Sequence, residues 1–202
     1  KQLKTIFLFL LAYWLYIDGV DTIVRMSVDY GMSIGFADTD LITALLLVQF
    51  VGFPAAIAFG FLGQKIGAKA GIYIAILVYL GISVGGAFIE QKHEFYIMAA
   101  VIGLVQGGIQ ALSRSYYARM IPKDKAAEFF GFYNMLGKFA AVIGPALMGF
   151  AGLFIKNMGY SSNFASRASI TSISILFILG AIVFYFVDEE KAKQEVADLY
   201  GK

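Results

Sequence analysis

The sequence predicts an all-α membrane protein with six transmembrane helices, and three observations carry that prediction. The 202 residues are 59 % hydrophobic and only 15 % charged, with a mean hydropathy of +0.75, whereas soluble domains average about 45–50 % apolar and about 25 % charged. Six apolar stretches of about 20 residues or more, the length a helix needs to cross a bilayer, are separated by polar clusters such as FADTD (36–40), GQKIGAK (63–69), EQKHE (90–94), RMIPKDKA (119–126) and KNMGYSSN (156–163). These stretches lack both the alternation of outer-membrane strands, which run for about 10 residues, and the amphipathic stripe of a soluble helical bundle.

The first stretch, roughly 5–29, is free of charge from Thr5 to Ile17 and then carries Asp18, Asp21 and Arg25. An ionised side chain near the bilayer centre costs about 2.5–3.5 kcal/mol on insertion scales. Spacings of i, i+3 and i+7 put these three on one helical face, which must point at protein or water, as part of a solute pathway. With Lys4 at one surface, Asp18 lies about 21 Å along the helix, beyond the midplane. Arg25 then either lines the pathway, snorkels to the far interface or pairs with Asp21. Gly19 beside Asp18 suggests a helix interrupted at a buried carboxylate. Tyr13, Trp14 and Tyr16 either line a cavity or pack.

The second stretch (41–63) contributes Gln49. The third (70–89) and the last part of the sixth (168–187) carry no charge. In the fourth (95–117), Gly103, Gly107 and Gly108 permit close helix contact. Gln106 and Gln110, one turn apart, either bind a polar solute or bond across helices. Arg114 either binds a carboxylate or phosphate or anchors the helix end. The fifth (126–154) opens with Glu128, which complements the helix dipole or pairs with Arg119. It carries Asn134 and, about 20 Å beyond Lys125, Lys138. A buried lysine needs a counter-ion or loses its proton, so a pair between Lys138 and Asp18 or Asp21 is expected. That pair is either opened by a solute carboxylate or a proton, or is a permanent tie. Phe129, Phe130, Phe132 and Tyr133 read as an interfacial belt. Asp188, Glu189 and Glu190 read as a solvated end, giving a bundle over 1–189 and a cytoplasmic tail over 190–202.

Polar groups therefore sit in the first, second, fourth and fifth helices, which should face a cavity, while the third and sixth face lipid. Pro54 followed by Gly60–Gly63 and Pro145 followed by Gly149–Gly152 echo each other as two related three-helix units. Lys and Arg number eleven on the side of the N-terminus, the 63–69 and 119–126 loops and the C-terminus, against three on the other, which places both termini in the cytoplasm.

A net charge of +2 without a basic stripe gives no footprint for nucleic acid. With no cysteine and one histidine, His93, no metal site or cofactor is expected, and the glycines at 103–108 lack a phosphate-loop ending. Asp18 and Asp21 admit a carboxylate dyad, so an intramembrane enzyme stands as an alternative, as does a self-sufficient six-helix channel or homodimeric carrier. The chain starts at Lys1 without a cleavable signal pattern, and reads as a fragment whose partner half is missing or that associates with itself.

The segment Gly60-Phe-Leu-Gly-Gln-Lys65-Ile-Gly67-Ala-Lys69 resembles the major facilitator signature G-x-L-x-D-[RK]-x-G-x-[RK], with Gln64 at the acidic position. Residues 103–149, with VQGGIQALSRS, ARMIP, EFFGFYN and GKFAA, and YIDGVDTI at 16–23, resemble the bacterial major facilitator branch related to the autophagy-linked vacuolar amino-acid effluxers of fungi. The resemblance covers nearly the whole chain. It implies helices seven to twelve of a twelve-helix transporter in a bacterial inner membrane, alternating access, and a small metabolite such as an amino acid as solute. Asp18, Asp21, Arg25, Gln49, Gln106, Gln110, Asn134 and Lys138 are the candidate binding or coupling residues. Gly60, Lys65, Gly67, Lys69, Arg114, Arg119 and Glu128 are the candidate gating or loop residues.

Overall fold

A computed structural model of the chain describes residues 3–140 and 142–200. Among them the chain forms nine α-helices: α1 (Lys4–Ser33), α2 (Asp38–Ile66), α3 (Ala68–Gly85), α4 (Lys92–Met120), α5 (Ala126–Lys138), α6 (Ile143–Asn157), α7 (Ser162–Thr171), α8 (Ser174–Tyr185) and α9 (Glu189–Tyr200). Six helical stretches are long and apolar enough to cross a membrane, the fifth made of α5 and α6 and the sixth of α7 and α8. The molecule is an all-α membrane protein of six spans.

The central helix is α1. It buries Phe9, Ala12, Tyr16, Val20 and Ile23 and packs chiefly against α8, with α4, α5 and α6 around it. The expected glycine contacts are present between α4 and α2. A Cβ on Gly103 would stand 2.8 Å from the Val48 carbonyl oxygen, and one on Gly107 2.8 Å from the Ala56 Cβ. The third and sixth spans pack inward through Tyr79 and Phe177, stacked at 5.5 Å. Outward they show Ile74, Leu77, Ile178, Leu179 and Ile182, an apolar face suited to lipid.

Three sequence expectations change here. Helix α1 runs unbroken through Gly19, whose missing side chain admits the Phe177 ring, and the interruption falls in the fifth span, between Lys138 and Ile143. The 188–190 acids keep a solvated end, with Asp188 and Glu190 exposed, and they also start a further helix. Asp188 accepts from the backbone amides of Glu190 and Lys191 and so caps α9, and Glu189 pairs with Lys193 at 3.0 Å. Arg119 lies 3.9 Å from Glu189 rather than pairing with Glu128, because α9 folds back onto α1 and α4. There Glu195 accepts from both the backbone amide and the hydroxyl of Thr5, each at 2.9 Å. Tyr133, finally, belongs to the core and not to a belt. It stacks on Tyr13 at 4.2 Å and on Tyr117 at 5.1 Å.

Candidate functional site

Three helices enclose an open cavity of about 670 Å³. Helix α1 supplies Tyr13, Ile17 and Asp21, α4 supplies Gln110 and Arg114, and α5 supplies Tyr133, Asn134 and Lys138. Four of the eight candidate binding or coupling residues, Asp21, Gln110, Asn134 and Lys138, thus meet at one opening, together with the loop candidate Arg114. Asn134 and Lys138 lie one turn apart on α5, which is why both reach it. Arg114 donates from Nη2 to the Asn134 Oδ1 at 3.2 Å and sits 5.7 Å from the centre of the Phe130 ring, so its guanidinium is held into the opening rather than at the helix end. Tyr13 and Tyr133 form an aromatic wall. Sequence reasoning had put Tyr133 at the interface, and no periodicity distinguishes an aromatic belt from an aromatic wall.

The remaining candidates go elsewhere. Gln49 and Gln106 line a separate groove of about 340 Å³ between α1, α2 and α4, with Val24 and Ser27. Arg25 is exposed and lines neither space. Among the described residues no ion pair joins it to Asp21 or joins Lys138 to Asp18 or Asp21. Asp18 is fully enclosed, at 0 % exposure, and its partners are backbone groups. It accepts from the amides of Val142 at 3.3 Å, Ile143 at 3.0 Å and Gly144 at 2.7 Å, and from the Thr22 hydroxyl at 3.3 Å. The expected Lys138–Asp18 pair is replaced by a carboxylate seated on the N-terminus of α6, where orphan amides and the helix dipole both favour an anion.

Two of the loop residues have defined work. Gly67, the one residue between α2 and α3, has φ +86° and ψ 147°, a conformation open essentially to glycine. Lys69 donates from Nζ to the carbonyls of Tyr185 and Val187, tying the start of α3 to the end of α8. Gly60 has open space where a Cβ would stand. Lys65 and Glu128 are exposed, the latter in the first turn of α5 as expected.

The family model described as vacuole effluxer Atg22 like matches residues 1–197. The chain is 42 % identical over 190 residues to the uncharacterised MFS-type transporter YxiO of Bacillus subtilis, covering 94 % of this chain and 42 % of that protein. It is 26 % identical over 212 residues to autophagy-related protein 22 of Vanderwaltozyma polyspora, covering 98 % of this chain and 39 % of the relative. With autophagy-related protein 22-1 of Aspergillus niger the identity is 25 % over 215 residues, with 98 % and 34 % covered. The chain therefore spans about two fifths or less of the length of these relatives.

Proposed function

The chain belongs to the Atg22-like vacuole effluxer family, and from that premise we propose that it is the C-terminal half of a secondary transporter, moving a small polar solute across a membrane by alternating access. Residues 1–189 form the six-helix half-bundle, with both ends of the chain on the cytoplasmic side of a bacterial inner membrane, and 190–202 is its tail, which carries most of α9 (Glu189–Tyr200). The other cavity wall comes from an N-terminal six-helix half.

The observation that carries this reading is the cavity between α1, α4 and α5. One carboxylate (Asp21), two cations (Arg114, Lys138) and two amides (Gln110, Asn134) share its lining. A bare charge held in low dielectric is costly, so unpaired groups at such an opening favour a ligand that brings the opposite charges. An amino acid does this with one ammonium and one carboxylate, the carboxylate at the Arg114–Lys138 end and the ammonium near Asp21. Ion-gradient coupling fits better than direct nucleotide use, since no phosphate-binding loop is present in the sequence. The dyad alternative loses its basis because Asp18 is committed to the α6 amides.

Uptake of radiolabelled L-amino acids by the full-length protein in proteoliposomes tests the reading. Concentrative uptake is expected, lowered about tenfold or more by Lys138→Ala through loss of a charge-assisted contact and lowered also by Asp21→Asn. Passive flux through residues 1–202 alone points instead to a channel, and a chemically altered solute points to an enzyme.

A further inference from the structure

The interruption of the fifth span leaves backbone groups without helical partners in the middle of a membrane protein, where each must be satisfied inside the molecule. Helix α1 meets them with two side chains one turn apart. Trp14 donates from its indole Nε1 to the carbonyl of Phe139, the residue that caps the C-terminus of α5, at 3.5 Å. Asp18 accepts from the amides of Val142, Ile143 and Gly144, which open α6. An α-helix leaves its first four amides unpaired, and the fourth position here is Pro145, which has no amide hydrogen. The opening amides of α6 are thus accounted for: three donors meet one carboxylate.

The fit is steric as well as electrical. A Cβ on Gly144 would stand 2.0 Å from the Thr22 Oγ1 and 2.8 Å from Asp18 Oδ1, so α6 approaches α1 this closely only with glycine at that place. Otherwise α6 buries little, Gly144 and Met148 being its only fully covered residues. Lys138 ends α5 one residue before the carbonyl that Trp14 holds, and it opens into the cavity.

We propose that Asp18 and Trp14 are positioning residues that grip the two sides of the interruption and thereby set where Lys138 stands in the cavity. Asp18 takes no part in binding the solute; it works through the backbone of α6. The proposal rests on the cavity being the solute site, and its test reads the position of Lys138 without any solute.

The experiment uses the full-length protein, made cysteine-free and carrying Lys138→Cys, in nanodiscs. Two readings are taken: the rate of labelling by a charged methanethiosulfonate reagent, and hydrogen exchange of the 142–146 backbone. Asp18→Asn, which sets an amide group against the α6 amides, is expected to speed exchange there and to change the labelling rate, each by about tenfold or more. Gly149→Ala, on α6 and facing open space, is expected to move neither reading. Trp14→Phe, which removes only the grip on Phe139, is expected to shift labelling in the same direction as Asp18→Asn and less, and it serves if Asp18→Asn does not fold. Unchanged exchange and labelling in Asp18→Asn, or in Trp14→Phe where that is the variant that folds, overturns the proposal. Altered labelling with unaltered amino-acid transport leaves the grip standing and counts against the cavity as the solute path.

Discussion

Asp18 and Asp21 are three residues apart on one helix, yet they stand in separate surroundings. Three residues turn a helix by about 300°, so the two side chains diverge by about 60°. That divergence sends Asp21 into the cavity and Asp18 under α6. The sequence marks both as costly charges that need partners, and in that sense the polar centre of α1 was legible. The partner of Asp18 was not, because it is backbone, and backbone amides carry no residue name. The one trace of it is Gly144-Pro145, a pair that gives close approach and a missing amide at the start of a helix. Gly144→Ala should therefore cost about 1–3 kcal/mol, the range for leaving a buried hydrogen-bonding group unsatisfied. It should show as a lowered thermal midpoint of the purified full-length protein. Gly149→Ala, about 1.4 helical turns further on and facing open space, should leave the midpoint unchanged or raised.

Helix existence was legible almost throughout, since six long apolar runs admit little else. What escaped was how helices end and what they fold back upon, because caps and docking depend on partners far away in sequence. The α2–α3 junction is a case where the local signal sufficed. Gly67 sits at φ +86° between two helices, and a Cβ there is strained whatever the space around it. Gly67→Ala should cost about 1–3 kcal/mol, measured as a lowered midpoint, while Gly60→Ala should be tolerated. The tail is the opposite case. Three acids in a row mark a solvated end, and Asp188 and Glu190 are exposed, but nothing local tells that Asp188 caps α9, where the amides of Lys191 and Glu190 hold its carboxyl below the ordinary carboxylate range. A carboxylate whose folded value is lowered contributes stability above its unfolded value, about 3.9, and loses that contribution as pH falls through the lowered folded value. Hydrogen exchange over residues 189–200 should accordingly stay flat from neutral pH to about 4 once corrected for the intrinsic rate, then lose protection below it. Asp188→Ala should show the loss already at neutral pH, since it removes the cap.

The whole bundle is packed unevenly. The first span is largely covered, whereas the second and fifth bury little, and the uncovered surface includes apolar rings such as Phe50, Phe53, Phe150 and Phe154 as well as the polar cavity lining. Lipid tolerates the rings and does not tolerate Arg114, Lys138 and Gln110, so the demand for a partner comes from the polar part. On the proposed function, an N-terminal half would meet that demand. Residues 1–202 expressed alone should meet it with a second copy, since the same face offers Asp21 to a neighbour's Lys138 or Arg114. Light scattering of this segment in several detergents should then give a dimer or larger species, and a strictly monomeric segment across all of them would sink the expectation. The cause is separable from mere greasiness. Replacing Arg114 and Lys138 together by leucine removes the unpaired charge and keeps the apolar face. Association driven by the polar cavity should weaken in that double variant, whereas association driven by the exposed rings should persist or strengthen.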